Sequence, residues 1–350
     1  PHDLQVSALL ASLAQWAESG WLRRLDAALA RFVAELSPAA APQVLLATAL
    51  VAHLEGRGHT CLPLDELLGA PDELLGWDTQ ARDALHQALA SQPNHIDAWL
   101  HSLQDCAAVW LPEVDADADA DRGQPLVLSG RRLYLRRYWD YESRVVAQVQ
   151  ARTAGLEPVD EAVARHWLDR LFDPLPGASV AQVLDVRAPH DAAILPPPLN
   201  SQAAAPDWQK LACAVALRGR LSVITGGPGT GKTYTAARLL ALLFAVAPDH
   251  TRLRVALAAP TGKAAARLKQ SIDSALQGLQ QRVGAELDIA ELARRVGAAR
   301  TLHSLLGARP DTRRLRHDAA HPLEVDVLIV DEASMVHLEM MAALLDALPP

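Results

Sequence analysis

The chain has 350 residues, half of them hydrophobic, which is enough for two or three domains with sizeable cores. Its net charge of −8 excludes a wholly basic nucleic-acid binder, although a local basic channel remains compatible with it. The three scattered cysteines have no metal-binding spacing and indicate reduced thiols in a cytoplasmic protein. No apolar run approaches a membrane span in length, and no signal peptide is visible, although the sequence opens on Pro1 rather than Met.

Residues 1–175 are predicted to form a mainly α-helical amino-terminal domain. Leucine, alanine and tryptophan recur near helical spacing through residues 4–36, and helical patterns continue, with interruptions, to residue 172. The aromatic stripes on these helices are interpreted as packing surfaces in preference to a DNA groove. The one exception to the helical pattern is a predicted β-hairpin at residues 126–135. The segment contains no group of residues that suggests catalysis. We therefore expect it to be a docking domain for partner chains.

Arginine and aromatic side chains alternate within and after the predicted hairpin. They are Arg131, Arg132, Tyr134, Arg136, Arg137, Tyr138, Trp139 and Tyr141. Three interpretations stay open for this cluster. In order of preference, they are a protein-docking surface, a solvated hairpin face and a contact for single-stranded DNA.

A proline-rich stretch at residues 176–206 is predicted to be a linker, and the pattern changes after it. Residues 207–350 alternate apolar strand patterns with helical ones. Strands are predicted at residues 221–225, 254–258 and 325–330, and helices at 208–217, 233–245, 263–276 and 337–348. This alternation predicts an α/β domain with a mostly parallel sheet and with ligands at the carboxyl ends of the strands.

The strongest motif follows the first of these strand patterns. Gly226, four residues and then Gly231-Lys232-Thr233 complete a P-loop between a strand pattern and a helical one. Glycines let backbone N–H groups approach a polyphosphate, and the following helix N-terminus adds partial positive charge. Lys232 is expected to contact the β- and γ-phosphates and Thr233 to ligate Mg²⁺. The loop residues predicted to bind nucleotide are Gly226, Gly227, Pro228, Gly229, Thr230, Gly231, Lys232, Thr233 and Tyr234.

A second motif is the apolar strand pattern that ends in Asp331-Glu332. Beside a P-loop, a carboxylate at a strand end holds Mg²⁺, so Asp331 is predicted to be a metal ligand. Glu332 is placed to orient and deprotonate water. With Lys232, these two residues form the predicted catalytic set.

Three weaker signals accompany the two strong ones. Pro260-Thr261-Gly262 follows a strand pattern and suits contact with a phosphate, although a capped helix start looks similar. A segment with Thr301 and His303 is by itself only an amphipathic turn. The amide of Gln209, seventeen positions before Gly226, is able to read adenine.

Together these residues resemble the helicase motifs of superfamily 1B, and specifically the RecD family, the α subunit of exonuclease V. The resemblance is carried by W-Q-K (208–210), V-I-T-G-G-P-G-T-G-K-T (223–233), A-A-P-T-G-K-A-A-A-R-L (258–268), T-L-H-S-L-L-G-A (301–308) and D-V-L-I-V-D-E-A-S-M (326–335). A looser resemblance runs through the amino-terminal half.

The resemblance implies a RecA-like motor domain, helicase domain 1A, that uses ATP and Mg²⁺ to move 5′→3′ along single-stranded DNA. Gln209 would read adenine. The residues implied to contact DNA are Pro260, Thr261, Gly262, Thr301 and His303. The resemblance also implies a heterotrimer with RecB-like and RecC-like subunits, which acts on duplex DNA ends in double-strand-break repair by recombination, with the nuclease in the RecB-like subunit.

The resemblance further implies that the sequence stops directly after motif II. In the family, motif III and a second motor domain with arginine fingers would follow Pro350. We therefore expect the chain alone to bind ATP weakly and not to unwind DNA. Two alternatives are a stand-alone superfamily 1B helicase and a truncated nucleotide-binding or interaction module.

Overall fold

The protein is described by a computed structural model that covers residues 2–113, 121–172, 207–227, 229–249, 252–309, 311–312 and 314–349. The linker predicted at residues 176–206 and Pro228 of the P-loop lie outside the described residues. The chain divides into two compact units, Pro1–Ser143 and Arg144–Pro350.

The first unit is mainly helical and contains one small sheet. Its elements are α1 (His2–Glu18), α2 (Arg24–Leu36), α3 (Pro42–Gly56), β1 (Cys61–Pro63), α4 (Leu64–Gly69), α5 (Pro71–Leu75), α6 (Thr79–Ala90), α7 (Ile96–Gln104), β2 (Val109–Trp110), β3 (Leu126–Ser129), β4 (Arg132–Leu135) and the start of α8 (Arg136–Thr153). The strand order is β1-β4-β3-β2, with β2 and β3 parallel and the other pairs antiparallel. The hairpin predicted at residues 126–135 is confirmed as β3 and β4.

Helix α3 is the centre of the first unit's core. Every residue from Val44 to Ala52 on this helix is buried, because its sequence is apolar on all sides. Helices α1 and α2 pack against it. Trp99 of α7 is among the largest fully buried side chains in this core.

A buried carboxylate ties α2 to α3. The side chain of Asp26 is fully buried, accepts hydrogen bonds from Arg23 N (2.8 Å) and Arg23 Nε (3.0 Å), and lies 3.5 Å from His53 Nδ1. Glu55 extends the network, since it accepts from Arg23 Nη2 at 3.0 Å and from the Tyr138 hydroxyl at 2.8 Å. Burial raises the pKa of Asp26, but hydrogen bonds from His53 and Arg23 outweigh burial, so its pKa lies below the usual value.

The second unit is an α/β fold around a parallel sheet with the strand order β6-β5-β7. Its elements after α8 are α9 (Glu161–Phe172), α10 (Trp208–Leu217), α11 (Lys232–Val246), β5 (Val255–Ala259), α12 (Gly262–Val283), α13 (Ile289–Arg295), β6 (Arg300–Thr301), α14 (Leu302–Leu305), β7 (Val327–Val330) and α15 (Leu338–Ala347). The sheet confirms the predicted fold class. Across the described residues, no helix combines the length and apolar character needed to cross a membrane.

Residues 144–172 belong to the second unit, although the amino-terminal domain was predicted to extend to residue 175. The reason is packing, because Leu171 and Phe172 of α9 are buried in one core with side chains of α11 and α12, such as Phe244 and Leu276. A helix pattern alone does not show which core a helix joins. The division into a docking part and a motor part stays a prediction.

The strand predicted at residues 221–225 is not formed. These residues belong to no strand, and Val223 is 81% exposed. The apolar run satisfied the local pattern, but a strand also needs a neighbour that pairs with its N–H and C=O groups. In the described sheet, β5 lies between β6 and β7, and residues 221–225 pair with none of the three.

Replacing Asp26 by asparagine is expected to lower the free energy of unfolding of the first unit by about 2–3 kcal/mol, because Arg23 loses its buried charged acceptor. Urea denaturation followed by tryptophan fluorescence measures the change, since six of the eight tryptophans lie within residues 1–143. The control is Asp72→Asn. The Asp72 carboxylate contacts His86 at 2.7 Å, and both side chains are about half exposed. The expected loss is therefore below about 0.5 kcal/mol. Equal losses in both variants would contradict the assignment.

The same network predicts acid sensitivity. Burial raises the pKa of Glu55, but hydrogen bonds from Tyr138 and Arg23 outweigh it, so the pKa values of both Glu55 and Asp26 are lowered by folding. Their contribution to stability is complete above the unfolded-state pKa of about 4 and is lost as the pH falls through the lower folded-state values. The urea midpoint should therefore fall as the pH drops below about 4. It should fall less steeply in Asp26→Asn, and identical pH profiles would refute the network's role.

Candidate functional site

The P-loop turns into α11 through two glycines in the left-handed region. Gly229 has φ 74° and Gly231 has φ 80°, and Lys232 is the first residue of the helix. Gly226 has a different role, since a Cβ there would lie 2.6 Å from Thr230 Oγ1 and would force that hydroxyl to move. The loop thus adopts a backbone path that other residues would strain or obstruct.

The ammonium group of Lys232 lies inside its own loop. Its Nζ donates to the carbonyl oxygens of Gly226 at 2.7 Å and Gly227 at 2.9 Å. Thr230 Oγ1 donates to the Gly227 carbonyl at 2.9 Å. The positive charge of Lys232 therefore interacts with two carbonyl dipoles. A phosphate is able to take the place of these carbonyls and offers a full negative charge instead.

Gln209 lies against the P-loop, although it is distant in sequence. Helix α10 begins beside the loop, and Asp207 Oδ1 caps it by accepting from Gln209 N at 3.0 Å. The Gln209 amide then donates from Nε2 to the Thr230 carbonyl at 3.2 Å. A Cβ at Gly231 would lie 2.7 Å from that Nε2, so the glycine leaves the space that the amide fills. We call Gln209, Gly226, Gly227, Thr230, Gly231 and Lys232 the P-loop cluster.

Tyr234 is held on the first turn of α11 by an arginine. The guanidinium carbon of Arg238 lies 4.3 Å from the Tyr234 ring centroid, and Arg238 Nη2 donates to the tyrosine hydroxyl at 3.0 Å. Arg238 also lies 4.5 Å from the ring of Phe172. Because Tyr234 is still 38% exposed, a fixed ring edge remains accessible beside the loop.

Strand register gathers the remaining predicted residues at one edge of the sheet. Ala258 of β5 is opposite Val330 of β7, and Ala259 is opposite Thr301 of β6. Beyond these pairs, the Asp331 N–H donates to the Ala258 carbonyl at 2.9 Å. The carboxyl ends of all three strands therefore bring their following residues together, as expected in a parallel sheet. We call Pro260, Thr261, Gly262, Thr301, Asp331 and Glu332 the strand-end cluster.

Both threonines of this cluster cap helices. Thr261 Oγ1 accepts from Ala264 N at 3.2 Å at the start of α12, and Thr301 Oγ1 accepts from Ser304 N at 3.2 Å at the start of α14. Each hydroxyl keeps its own proton as a donor. His303 is exposed beside Thr301. The edge thus presents hydroxyl donors and the N-terminus of the 22-residue helix α12, which suits phosphate oxygens.

The backbone of Glu332 is strained. Its φ of 52° and ψ of 40° are left-handed, and it is the one non-glycine residue with positive φ in the part of the chain that the structure describes. The Glu332 N–H donates to Asp331 Oδ1 at 3.0 Å, which fixes the turn at the end of β7. A glutamate in this conformation costs about 1 kcal/mol, and such strain concentrates at functional sites.

The two clusters contain different parts of the predicted site. The P-loop cluster contains the predicted phosphate-binding residues, and the strand-end cluster contains the predicted catalytic carboxylates. The hydrogen bonds of Lys232 go to its own loop, and those of Asp331 and its backbone go to Glu332 and β5. The described residues contain no group of three or more His, Cys, Asp and Glu side chains placed to hold a metal ion. The Thr233 hydroxyl and the Asp331 carboxylate are nevertheless hard oxygen donors. They fit Mg²⁺, which binds one or two carboxylates together with phosphates rather than an all-protein cage.

Two residues of the site were missed by sequence reasoning. Asp207, which caps the helix that begins beside Gln209, carries a recognisable signal, since an aspartate directly before a helical pattern is a typical N-cap. Arg238, which fixes Tyr234, also carries a signal, because it stands four positions after Tyr234 on a predicted helix, where side chains at this spacing are neighbours.

A P-loop at the start of a helix, with a parallel strand that ends in Asp-Glu, defines a P-loop NTPase domain. Comparison with known families agrees, since the family described as an AAA domain matches residues 209–350. The family described as the RecBCD enzyme subunit RecD, N-terminal domain, matches residues 18–134. The chain thus carries a segment that matches the RecD amino-terminal domain, followed by an NTPase domain.

Individual proteins that are similar to this chain are also named as RecD proteins. The chain is 40% identical over 262 residues to the RecBCD enzyme subunit RecD of Mycolicibacterium smegmatis, covering 73% of this chain and 37% of that protein. It is 32% identical over 309 residues to the same subunit of Haemophilus influenzae, covering 87% and 42%. It is also 39% identical over 131 residues to the ATP-dependent RecD2 DNA helicase of Deinococcus radiodurans, covering 37% and 14%. The chain therefore spans about two fifths of the length of these RecD subunits.

The strain at Glu332 is testable by itself. Glu332→Gly is expected to raise the free energy of unfolding of the second unit by about 0.5–1 kcal/mol, because glycine adopts the left-handed conformation without a Cβ penalty. The control is Gln270→Gly at an exposed position inside α12, which should lose about 1 kcal/mol. Thermal and urea unfolding followed by circular dichroism compare the variants. A loss in Glu332→Gly as large as in the control would show that the position is unstrained.

Proposed function

We propose that this chain is the ATP-dependent, 5′→3′ DNA helicase subunit of a RecBCD-type enzyme that acts in the cytoplasm on broken DNA ends during recombinational repair. The observation that carries the proposal is the P-loop cluster, in which Lys232 and Gln209 converge on one glycine-rich loop. The matches to RecD subunits over most of the chain support the proposal, as do the three free thiols, which are typical of a reducing compartment.

ATP would bind along the loop from Gln209 to Thr233. Lys232 would exchange its two carbonyl contacts for the β- and γ-phosphates, and the N–H groups at the start of α11 would contact phosphate oxygens. Gln209, at the start of the helix that Asp207 caps, would read the adenine edge. The accessible ring of Tyr234 lies on the same first turn of the helix, where it would border the nucleotide.

Thr233 and Asp331 would hold Mg²⁺, which neutralises phosphate charge when it is bound. Glu332 would orient the attacking water and accept its proton. The left-handed turn fixes this carboxylate one residue beyond Asp331. Bound Mg-ATP would therefore contact both clusters at once, through Thr233 at the P-loop and Asp331 at the strand ends.

DNA would run along the strand-end cluster. Pro260, Thr261 and Gly262 lie after β5. Thr301, the last residue of β6, and His303 lie at the same edge of the sheet. Hydroxyl donors and backbone N–H groups contact phosphate and sugar rather than base edges, so binding would be insensitive to sequence and sensitive to salt. Asp331 lies after β7 on the other side of β5, which would couple the state of the nucleotide to the DNA path.

A stand-alone helicase is the second candidate, because the RecD2 relative is named as a helicase in its own right. The match of residues 18–134 to the RecD amino-terminal domain favours the subunit instead. The partners we propose are RecB-like and RecC-like subunits. Co-purification of the chain with these two subunits discriminates between the candidates.

Lys232→Gln should weaken Mg-ATP binding by about 10- to 100-fold, because it removes a charge-assisted contact of about 1.5–3 kcal/mol. Lys263→Gln is the matched control, since Lys263 is exposed in the first turn of α12, at the strand ends. Calorimetric titration with a non-hydrolysable ATP analogue measures affinity, and circular dichroism checks the fold. Unchanged affinity in Lys232→Gln, or an equal loss in both variants, would overturn the site.

Removing both capping hydroxyls should weaken single-stranded DNA binding. The double variant Thr261→Ala/Thr301→Ala is expected to bind oligo-dT about 3- to 10-fold less tightly, while Thr261→Ser/Thr301→Ser, which keeps both donors, should bind like the unaltered chain. Fluorescence anisotropy at several salt concentrations measures both affinity and its salt dependence. Equal affinities of the alanine and serine variants would place the DNA path elsewhere.

A further inference from the structure

Exposed hydrophobic side chains of the first unit concentrate on one helix. Among its described residues, four large hydrophobic side chains are exposed, and three of them belong to α2: Leu25 at 63%, Phe32 at 50% and Leu36 at 49%. The fourth, Leu4, lies on α1. Single exposed apolar residues are ordinary on a protein surface, but a contiguous group marks an interaction site.

These three residues, with the half-buried Leu29, form a continuous line that we call the α2 stripe. At about 100° per residue, Leu25, Leu29, Phe32 and Leu36 lie within about 60° of one another on the helix. A different face of α2 is used for packing, where Ala30, Val33 and the carboxylate of Asp26 are buried. The α2 stripe is therefore not part of the face that α2 buries in the core of the first unit.

The arginine and aromatic cluster near the hairpin is the competing docking surface, and its groups have partners within the first unit. Arg131 pairs with Asp65 at 3.0 Å, and Arg137 pairs with Glu55 at 2.9 Å. The ring of Tyr134 is buried. Intramolecular ion pairs explain this cluster, whereas none of the described residues of the first unit covers the α2 stripe.

We propose that the α2 stripe docks into an apolar groove with an acidic rim on a different protein chain. This inference rests on the proposed function, since the stripe lies within the segment that matches the RecD amino-terminal domain and the relatives are named as subunits of an enzyme. Arg24, Arg31 and Glu35 are exposed along one side of the stripe. This flank has a net positive charge, which calls for acidic groups on the facing rim.

The length of the α2 stripe argues for a groove rather than for a second copy of this chain. From Leu25 to Leu36 the stripe extends over about 16 Å, at about 1.5 Å per residue. A paired coiled coil needs a seam of about three to four heptads, which a helix of 13 residues does not supply. A concave surface, in contrast, is able to enclose four side chains completely, and such central apolar anchors carry most of the energy of an interface.

The test uses the full chain co-expressed with RecB-like and RecC-like subunits. Leu25→Asp/Phe32→Asp should reduce capture of the two subunits at least tenfold. Leu4→Asp, the control at an exposed leucine off the stripe, should assemble normally. Circular dichroism and ATP-analogue affinity should be unchanged in both. If the Leu25→Asp/Phe32→Asp variant does not fold, Phe32→Ser/Leu36→Ser provides a milder change of the stripe. Arg24→Glu/Arg31→Glu leaves the apolar stripe intact and should weaken capture by repelling the acidic rim of the partner.

Assembly of the unaltered chain together with equal assembly of the α2 variants would overturn this inference and leave the proposed function standing. Failure of the unaltered chain to assemble would overturn both. Sedimentation of the chain alone adds a third outcome, since a dimer that Phe32→Asp dissociates would show that the stripe pairs with a second copy instead.

Discussion

The candidate site depends on the backbone pairing of β5 with its two neighbours. β5 lies between β6 and β7, and the register sets Ala259 beside Thr301 and Ala258 beside Val330. Because all three strands are parallel, the segments after them emerge at one edge. Two helix caps, the carboxylate proposed to bind Mg²⁺ and the strained Glu332 are brought together by hydrogen bonds of the main chain, with little help from side-chain contacts.

The nucleotide half is organised separately, by the packing of α10 against α11. This packing places Gln209 over Gly231 and holds the start of α11 beside the loop. Lys232 is the group that is free to change partners, because its contacts are two backbone carbonyls of its own loop. A polyphosphate with Mg²⁺ is a ligand of the right charge and length to join this half to Asp331.

Sequence reasoning succeeded where the signal was local. Helix Trp208–Leu217 was predicted to the residue, and the P-loop and its helix follow from glycine spacing and an apolar pattern. It failed at residues 221–225, since strand formation depends on a neighbour that no local pattern specifies. The two-residue strand Arg300–Thr301 is too short to show periodicity, so its position beside β5 was not predictable. The burial of Asp26 was equally hidden, because an aspartate near a helix start normally stays in solvent.

The central claim is that Mg-ATP joins the P-loop cluster to the strand-end cluster. Hydrogen-exchange mass spectrometry of the chain, with and without a non-hydrolysable ATP analogue and Mg²⁺, tests it most directly. Amide exchange is expected to slow in residues 226–235 and, in the same sample, in residues 331–335, while residues 24–36 stay unchanged as the internal control. Slowing in the loop with no change at residues 331–335 would contradict the joining of the two clusters, and no slowing in the loop would contradict the nucleotide site itself.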